Sequence, residues 1–255
     1  MCTNFTSTTN NDWVRRHFAK DLPRTDNPEV FPGQKAAIAF LDARGDIQIE
    51  LGQFGLLPAW VDELRAKTFH RHTYNARIES VQTKPSFRQA WRKAQFAVLL
   101  LDDFFEPCYE TGVAVRHRIQ TTLNEPFGIA CLWDRWIGSQ DNHGFQSGAE
   151  TERLSFAMLT LNADHHPVMS RMHPPEDEKR TPWVLGSSQF ETWLKALPSA
   201  AHDLAQLHLM PPLKTQADPS PRISSKSNNS QLVDKKKKED LGEGAPSSSD
   251  QLSLF

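Results

Sequence analysis

Residues 96–101, FAVLLL, run six apolar side chains in succession and pass directly into Asp102-Asp103-Phe104-Phe105-Glu106-Pro107. An apolar run of this length has no face to offer water. It therefore reads as a strand buried on both sides. Whatever the chain folds into must wrap other elements around this strand. It must also place an acidic and aromatic cluster where the strand emerges. A carboxylate at that point, Glu106, is partly desolvated, which raises its pKa and suits it to moving protons. A strand-end carboxylate facing water is the simpler alternative.

The neighbours are legible by pattern. Apolar stretches at 35–41 and 46–51 flank Ala43-Arg44-Gly45 and form a β-hairpin that enters a loop at 55–58. Short helices are expected at 13–20 and 62–67. KPSFRQAWRKAQ places Phe87, Ala90, Trp91 and Ala94 on one helical face. RHRIQTTL, PFGIACLW and ERLSFAMLTLN are further strands. DHHPVMSRMHPPEDEKRTP is a long loop rich in His and Pro, and 187–207 is helical. Many strands with few helices, and no regular βαβ alternation, indicate an α+β fold with a curved or barrel-like sheet.

Composition separates this body from the C-terminal stretch. Of 255 residues, 38% are hydrophobic and 24% charged, enough for one domain of about 200 residues. We place that domain at 1–212. From 213 to 250 the chain is poor in apolar residues and rich in Ser, Pro, Lys and Asp, the composition of a disordered tail. Its KKKK run at 235–238 is followed at once by acidic residues and reads as a solvated charge run. The chain then closes on Gln251-Leu252-Ser253-Leu254-Phe255. A short apolar motif on a flexible tether suits a partner's groove.

Several classes are set aside. No apolar run approaches the roughly 18 residues of a membrane span, and MCTNFTSTTNNDW lacks the charged and apolar regions of a signal peptide. Three separated cysteines, Cys2, Cys108 and Cys131, give neither a disulfide framework nor metal spacing. No cofactor or metal is expected, and a reducing, cytoplasmic setting is. With a net charge of −2, affinity for a polyanion requires a local basic patch.

Met1-Cys2 adds a chemical possibility. If Met1 is removed, Cys2 carries an α-amine and a thiol on adjacent carbons, with pKa values of roughly 8 and 8.5. A 1,2-aminothiol condenses with an aldehyde and closes to a thiazolidine. The simpler alternative is a small residue after an ordinary initiator. In YNARIES, the fork of Arg77 suits a phosphate, with a surface ion pair to Glu79 as the competing reading. His165, His166 and His173 lie in the long loop, where a lone His is usually solvated.

Together these segments resemble the SRAP family, the SOS-response-associated peptidases that crosslink abasic sites in DNA. The resemblance covers most of residues 1–195. Met1-Cys2 matches the family's start. FPGQKAAIA, FGLLPAW, YNARIES, KPSFRQAW, DFFEP, FGIACLWDRW and SFAMLTLNAD are similar to its motifs in order, with YNARIES the most specific. The departures are Thr3-Asn4 in place of Gly-Arg, Pro107 in place of Trp, and a broken Ile-His-x-Arg-Met-Pro. Aligning Met172-His173 and the 180–185 segment restores that motif with an insertion at 174–179, and makes His173 the family's histidine. His166 is the fallback.

The resemblance implies a catalytic set of Cys2, Asn75, Glu106 and His173. Cys2 condenses with the abasic aldehyde, Glu106 moves protons, His173 serves the sugar hydroxyl and Asn75 orients Cys2. It implies DNA contacts at Arg77, with Arg71, Arg88 and Arg92 as further phosphate contacts and Trp60 and Phe54 as stacking platforms. The partners implied are single-stranded DNA containing abasic sites and the bacterial DNA polymerase sliding clamp. Gln251, Leu252, Leu254 and Phe255 would meet the clamp. No membrane partner is expected, and the protein is expected to be a monomer. Two rival functions remain: a cysteine-type peptidase or amidohydrolase, and an inactive clamp-binding accessory protein.

Overall fold

In a computed structural model, described for residues 2–25, 28–139 and 150–218, twelve strands form one sheet whose centre closes into a barrel. The apolar run begins its longest axis. Strand β6 (Phe96–Cys108) continues without a break through the acidic and aromatic cluster. Its first half pairs on one side with β3 (Lys35–Leu41), through Ile38↔Leu99 and Phe40↔Ala97. On the other side it pairs with β8 (Phe127–Ser139), through Phe96↔Leu132 to Leu101↔Phe127. β3 forms the expected hairpin with β4 (Ile47–Phe54), and β8 pairs along its length with β9 (Glu150–Asn162). β4 and β9 then join in parallel through Gln53↔Ser155 and Phe54↔Phe156, closing five strands into a barrel.

The second half of β6 leaves the barrel and recruits different partners. β1 (Asn4–Ser7) lies on one edge, with Asn4 opposite Phe105 and a bulge between Thr6 and Ser7. β7 (Val115–Thr121) lies on the other, with Glu106 opposite His117. β2 (Glu29–Val30) extends the sheet beyond β1. Along the C-terminal end of β9, β5 (Asn75–Arg77) runs parallel to it and β10 (Arg180–Pro182) antiparallel. β11 (Val184–Leu185) pairs with β8.

The helices seal the barrel. In α1 (Asn11–Phe18), Asn10 caps the N-terminus by accepting from the Trp13 amide, and Trp13, Val14 and Phe18 turn inward. Phe18 stacks on Phe190 of α4 (Phe190–Leu194) at 5.3 Å. Trp193 of α4 stacks on Phe96 at 4.3 Å and donates from Nε1 to the Ala97 carbonyl at 2.8 Å. Leu99, Ile38, Phe54, Phe104 and Phe156 are fully buried. Each such side chain contributes on the order of 2 kcal/mol. α2 (Glu63–Ala66) and α3 (Arg88–Arg92) fall within the expected helical stretches.

Two expectations change. The helix expected over 187–207 is two, α4 and α5 (Pro198–Leu204). Pro198 has no N–H to continue the first and holds Leu197 extended, so the chain restarts with Pro at the new N-terminus. The body does not end at 212. β12 (Leu213–Ala217) pairs antiparallel with β7, with Leu213 buried, so backbone pairing holds a stretch whose composition looks tail-like. Among the described residues no helix is long and apolar enough to cross a membrane.

Candidate active site

β1 and the second half of β6 bring the N-terminus beside Glu106. Cys2 is fully buried just before β1, with its thiol directed at the Asn4 carbonyl, Sγ to O 3.4 Å. Asn75, the first residue of β5, donates from Nδ2 to the Cys2 carbonyl at 2.7 Å. The barrel strand β9 therefore fixes Asn75, and Asn75 fixes the backbone of Cys2. Burial pushes the Cys2 thiol well up, and the charge of Glu106 adds to the rise. A thiolate in this environment forms only when a neighbouring group takes its proton.

Glu106 is the carboxyl whose charge acts on this thiol. It is 3% exposed, and burial lifts its carboxyl from 4.5 to about 7. Its Oε2 lies 3.3 Å from Nε2 of His173, which burial lowers from 6.5 to about 4. Desolvation thus drives acid and imidazole alike towards their uncharged forms. Near neutrality the pair holds at most about one proton, and the carboxyl is its seat. His173 is held for this contact. Its amide donates to the Pro107 carbonyl at 2.7 Å and its φ is +65°, a left-handed conformation that costs a non-glycine residue of order 1 kcal/mol. Tyr74, which sequence reasoning passed over, lies in the field of Cys2 and Glu106. Burial raises its hydroxyl first and the two charges add.

His166 does something else. It is buried, and its Nδ1 accepts from the amides of Val168 and Met169, both at 3.1 Å. An imidazole occupied in this way holds a turn. The structure brings His173, not His166, to Glu106. His165 is exposed.

The expected DNA contacts divide. Arg77 is exposed on β5, two residues from Asn75, and its Nη1 lies 2.7 Å from Glu178. The ion pair considered between Arg77 and Glu79 does not form. Glu79 instead takes Arg180 in a two-pronged contact at 2.9 and 3.0 Å, because Arg180 is buried and needs a carboxylate. Trp60 is 47% exposed, with Phe69 edge-on at 5.6 Å and Arg65 at 5.7 Å from its ring. Phe54 cannot stack on a base. Its position on β4 points it into the barrel, fully buried against Phe5, Tyr74 and Phe156. Arg71, Arg88 and Arg92 are exposed, on the turn 69–72 and on α3.

Asn4, standing where a cation was expected, donates its amide to Glu29, and Arg116 of β7 reaches the same carboxylate at 2.5 Å. Among the described residues no group of three or more His, Cys, Asp or Glu could hold a metal ion. Gln251, Leu252, Leu254 and Phe255 lie outside the described residues.

Comparisons with known proteins agree with the sequence resemblance. No curated protein matches the chain. Among solved structures, a protein from Bordetella bronchiseptica is 25% identical, covers 86% of this chain and all of its own, and superposes with a TM-score of 0.74. One from Bacteroides thetaiotaomicron is 19% identical over 85% of this chain and 91% of its own, with a TM-score of 0.65. A phage-related protein from Bordetella bronchiseptica is 14% identical over 85% and 94%, with a TM-score of 0.58. These show the barrel and its surrounding sheet. A family model described as SOS response associated peptidase (SRAP) matches residues 1–230, and the chain belongs to the SRAP family.

Proposed function

We propose that this protein, after removal of Met1, forms a covalent thiazolidine crosslink between Cys2 and abasic sites in single-stranded DNA. The observation that carries the reading is the meeting of Cys2, held through its carbonyl by Asn75, with the buried Glu106–His173 pair. The α-amine of Cys2 attacks the open-ring aldehyde, and loss of water gives a Schiff base. The thiol sulfur then adds to the imine carbon. Its proton leaves through Glu106, the imine nitrogen gains one, and the five-membered ring closes. A carboxyl near pKa 7 is suited to both directions of transfer.

In the same reading His173 serves the deoxyribose hydroxyl as the sugar ring opens, Arg77 holds a backbone phosphate and Trp60 stacks on a base. Hydrolysis of the Met1–Cys2 bond by the protein itself, with Glu106 assisting, is the peptidase side of this chemistry. The protein works as a cytoplasmic monomer at replication forks. Gln251, Leu252, Leu254 and Phe255 dock it on the sliding clamp.

The test is an oligonucleotide with one abasic site, mixed with the full chain and run on a denaturing gel. A shifted band is expected that disappears in Cys2→Ala and persists in Cys108→Ala, with intact mass reporting both Met1 loss and the adduct. No shift from protein whose N-terminus is confirmed as Cys2 sinks the reading. Deleting 251–255 is expected to abolish clamp binding and leave crosslinking intact; clamp affinity that survives the deletion refutes the docking motif.

A further inference from the structure

Arg77 and Arg180 share a carboxylate but depend on it differently. Glu178 places Oε2 at 2.7 Å from Arg77 Nη1 and Oε1 at 2.9 Å from Arg180 Nη1, with Asn162 Nδ2 at 3.5 Å. Arg180 is secure without it, since its guanidinium also grips both oxygens of Glu79 and donates to the Thr160 carbonyl at 2.8 Å. Arg77 is half-exposed, and among the described residues Glu178 is the carboxylate within ion-pair distance of it. Two oxygens of one anion held by two arginines and an amide is the arrangement a phosphate would take on the same donors.

The segment that delivers Glu178 is built rather than loose. Lys179 donates from Nζ to the His173 carbonyl at 3.1 Å and to the Pro174 carbonyl. Its own carbonyl accepts from Ala163 at 2.7 Å, and its amide donates to Asp164 at 3.1 Å. Arg180 follows at once as the first residue of β10. Glu178 is therefore clamped on its C-terminal side, between the proposed acid–base histidine and the proposed phosphate site.

We propose that Glu178 is a phosphate surrogate that guards Arg77: it occupies the guanidinium in the free protein, and a DNA backbone must displace it to bind. The proposal rests on the reading that Arg77 contacts a DNA phosphate. It makes residues 174–179 a selectivity element. Undamaged single strands, held without a covalent bond, lose affinity to the competition. An abasic strand is captured covalently and does not depend on that affinity once the adduct forms. An exposed ion pair of this kind is worth a factor of about two to five in affinity.

The experiment is fluorescence anisotropy of a single-stranded oligonucleotide with no abasic site, titrated with the full chain at low salt. Glu178→Gln is expected to tighten binding about two- to fivefold, and Arg77→Gln to weaken it. Glu178→Gln in the Arg77→Gln background is expected to add no more than Glu176→Gln, which removes an equal charge from an exposed neighbour in the same segment. If Glu178→Gln tightens binding equally in both backgrounds, the effect is general charge and the guard is refuted. If Glu178→Gln matches Glu176→Gln while Arg77→Gln still weakens binding, Arg77 is a DNA contact and Glu178 does not compete for it. If Arg77→Gln leaves affinity unchanged, the phosphate reading of Arg77 fails and takes the guard with it. The crosslinking assay is unaffected by that outcome and judges the proposed chemistry separately.

Discussion

The two halves of β6 are one strand with the same burial and opposite chemistry. Residues 96–101 are buried to within 1% and meet Ile38, Phe40 and Ile129 across the ladders. Residues 102–108 are also mostly buried, yet include Asp103 at 2% and Glu106 at 3% exposure. In the first half, burial yields stability. In the second it yields proton affinity: desolvation raises Asp102, Asp103 and Glu106 alike. The carboxylates then differ by company. Asp103 has a cation at 2.6 Å in Arg118, which opposes part of the rise that burial causes. Glu106 faces an imidazole that burial keeps neutral. A buried acid beside a cation is a structural ion pair, whereas a buried acid beside a neutral base is a proton store.

The largest expected effect probes the barrel half. Leu99→Ala removes a fully buried side chain between Ile38 and Ile129 and is expected to cost about 3 kcal/mol in denaturant unfolding. Crosslinking per folded molecule is expected to stay within about twofold of wild type. A large rate loss in folded Leu99→Ala protein would break the division between the halves.

Glu106→Gln probes the other half, and the sign runs the opposite way. The folded carboxyl keeps its proton up to about pH 7, while the unfolded one loses it near 4.5. Native Glu106 therefore binds more protons over that window, and its contribution falls as pH rises through it. Relative to wild type, the Gln variant is expected to gain on the order of 3 kcal/mol between pH 4.5 and pH 8, measured by urea unfolding at each pH. Its crosslinking is expected to slow about a hundredfold. His173 slopes in reverse, since its cost grows as pH falls from 6.5 towards 4. Wild type is thus flatter between pH 4.5 and 6.5 than Glu106→Gln, which keeps only the His173 slope. A Gln variant with the same pH–stability curve as wild type would show that Glu106 is not held protonated.

Much of the fold was legible in the sequence because the signals were local. The six apolar residues at 96–101 announced a central strand, and the 35–41 run with its Gly45 turn announced a hairpin. Glu106 stood out because a carboxylate at the end of an apolar strand is open to desolvation, with a water-facing position as the alternative, and its 3% exposure decides between them. What escaped depends on contacts far apart in the chain. Phe54 looked available beside the Gly55 loop, but strand parity and the parallel pairing of β4 with β9 turn it against Phe156. β12 has too few apolar residues to signal a strand, and it exists because β7, about a hundred residues earlier in the chain, offers an edge. Glu178 sits in an acidic stretch that marks nothing locally, and its role rests on two arginines from β5 and β10. His166 and His173 are alike in sequence. Only the fold gives one two amides to hold and the other a carboxyl.

The smallest effect lies where the two regions meet. Asn75 is tied to the barrel through the pairing of β5 with β9, yet its amide holds the Cys2 carbonyl beside the half proposed to carry the chemistry. Asn75→Ala leaves that buried acceptor without its donor, a cost of about 1–2 kcal/mol. Freed of this restraint, the aminothiol samples orientations away from the aldehyde, and single-turnover crosslinking is expected to slow about tenfold. Asn75→Asp separates positioning from packing. It keeps the volume but sets a carboxylate oxygen against the carbonyl oxygen, so it is expected to slow the reaction more than Ala does. If Asp instead crosslinks as fast as wild type, the 2.7 Å contact is a packing accident and the barrel holds Cys2 by other means.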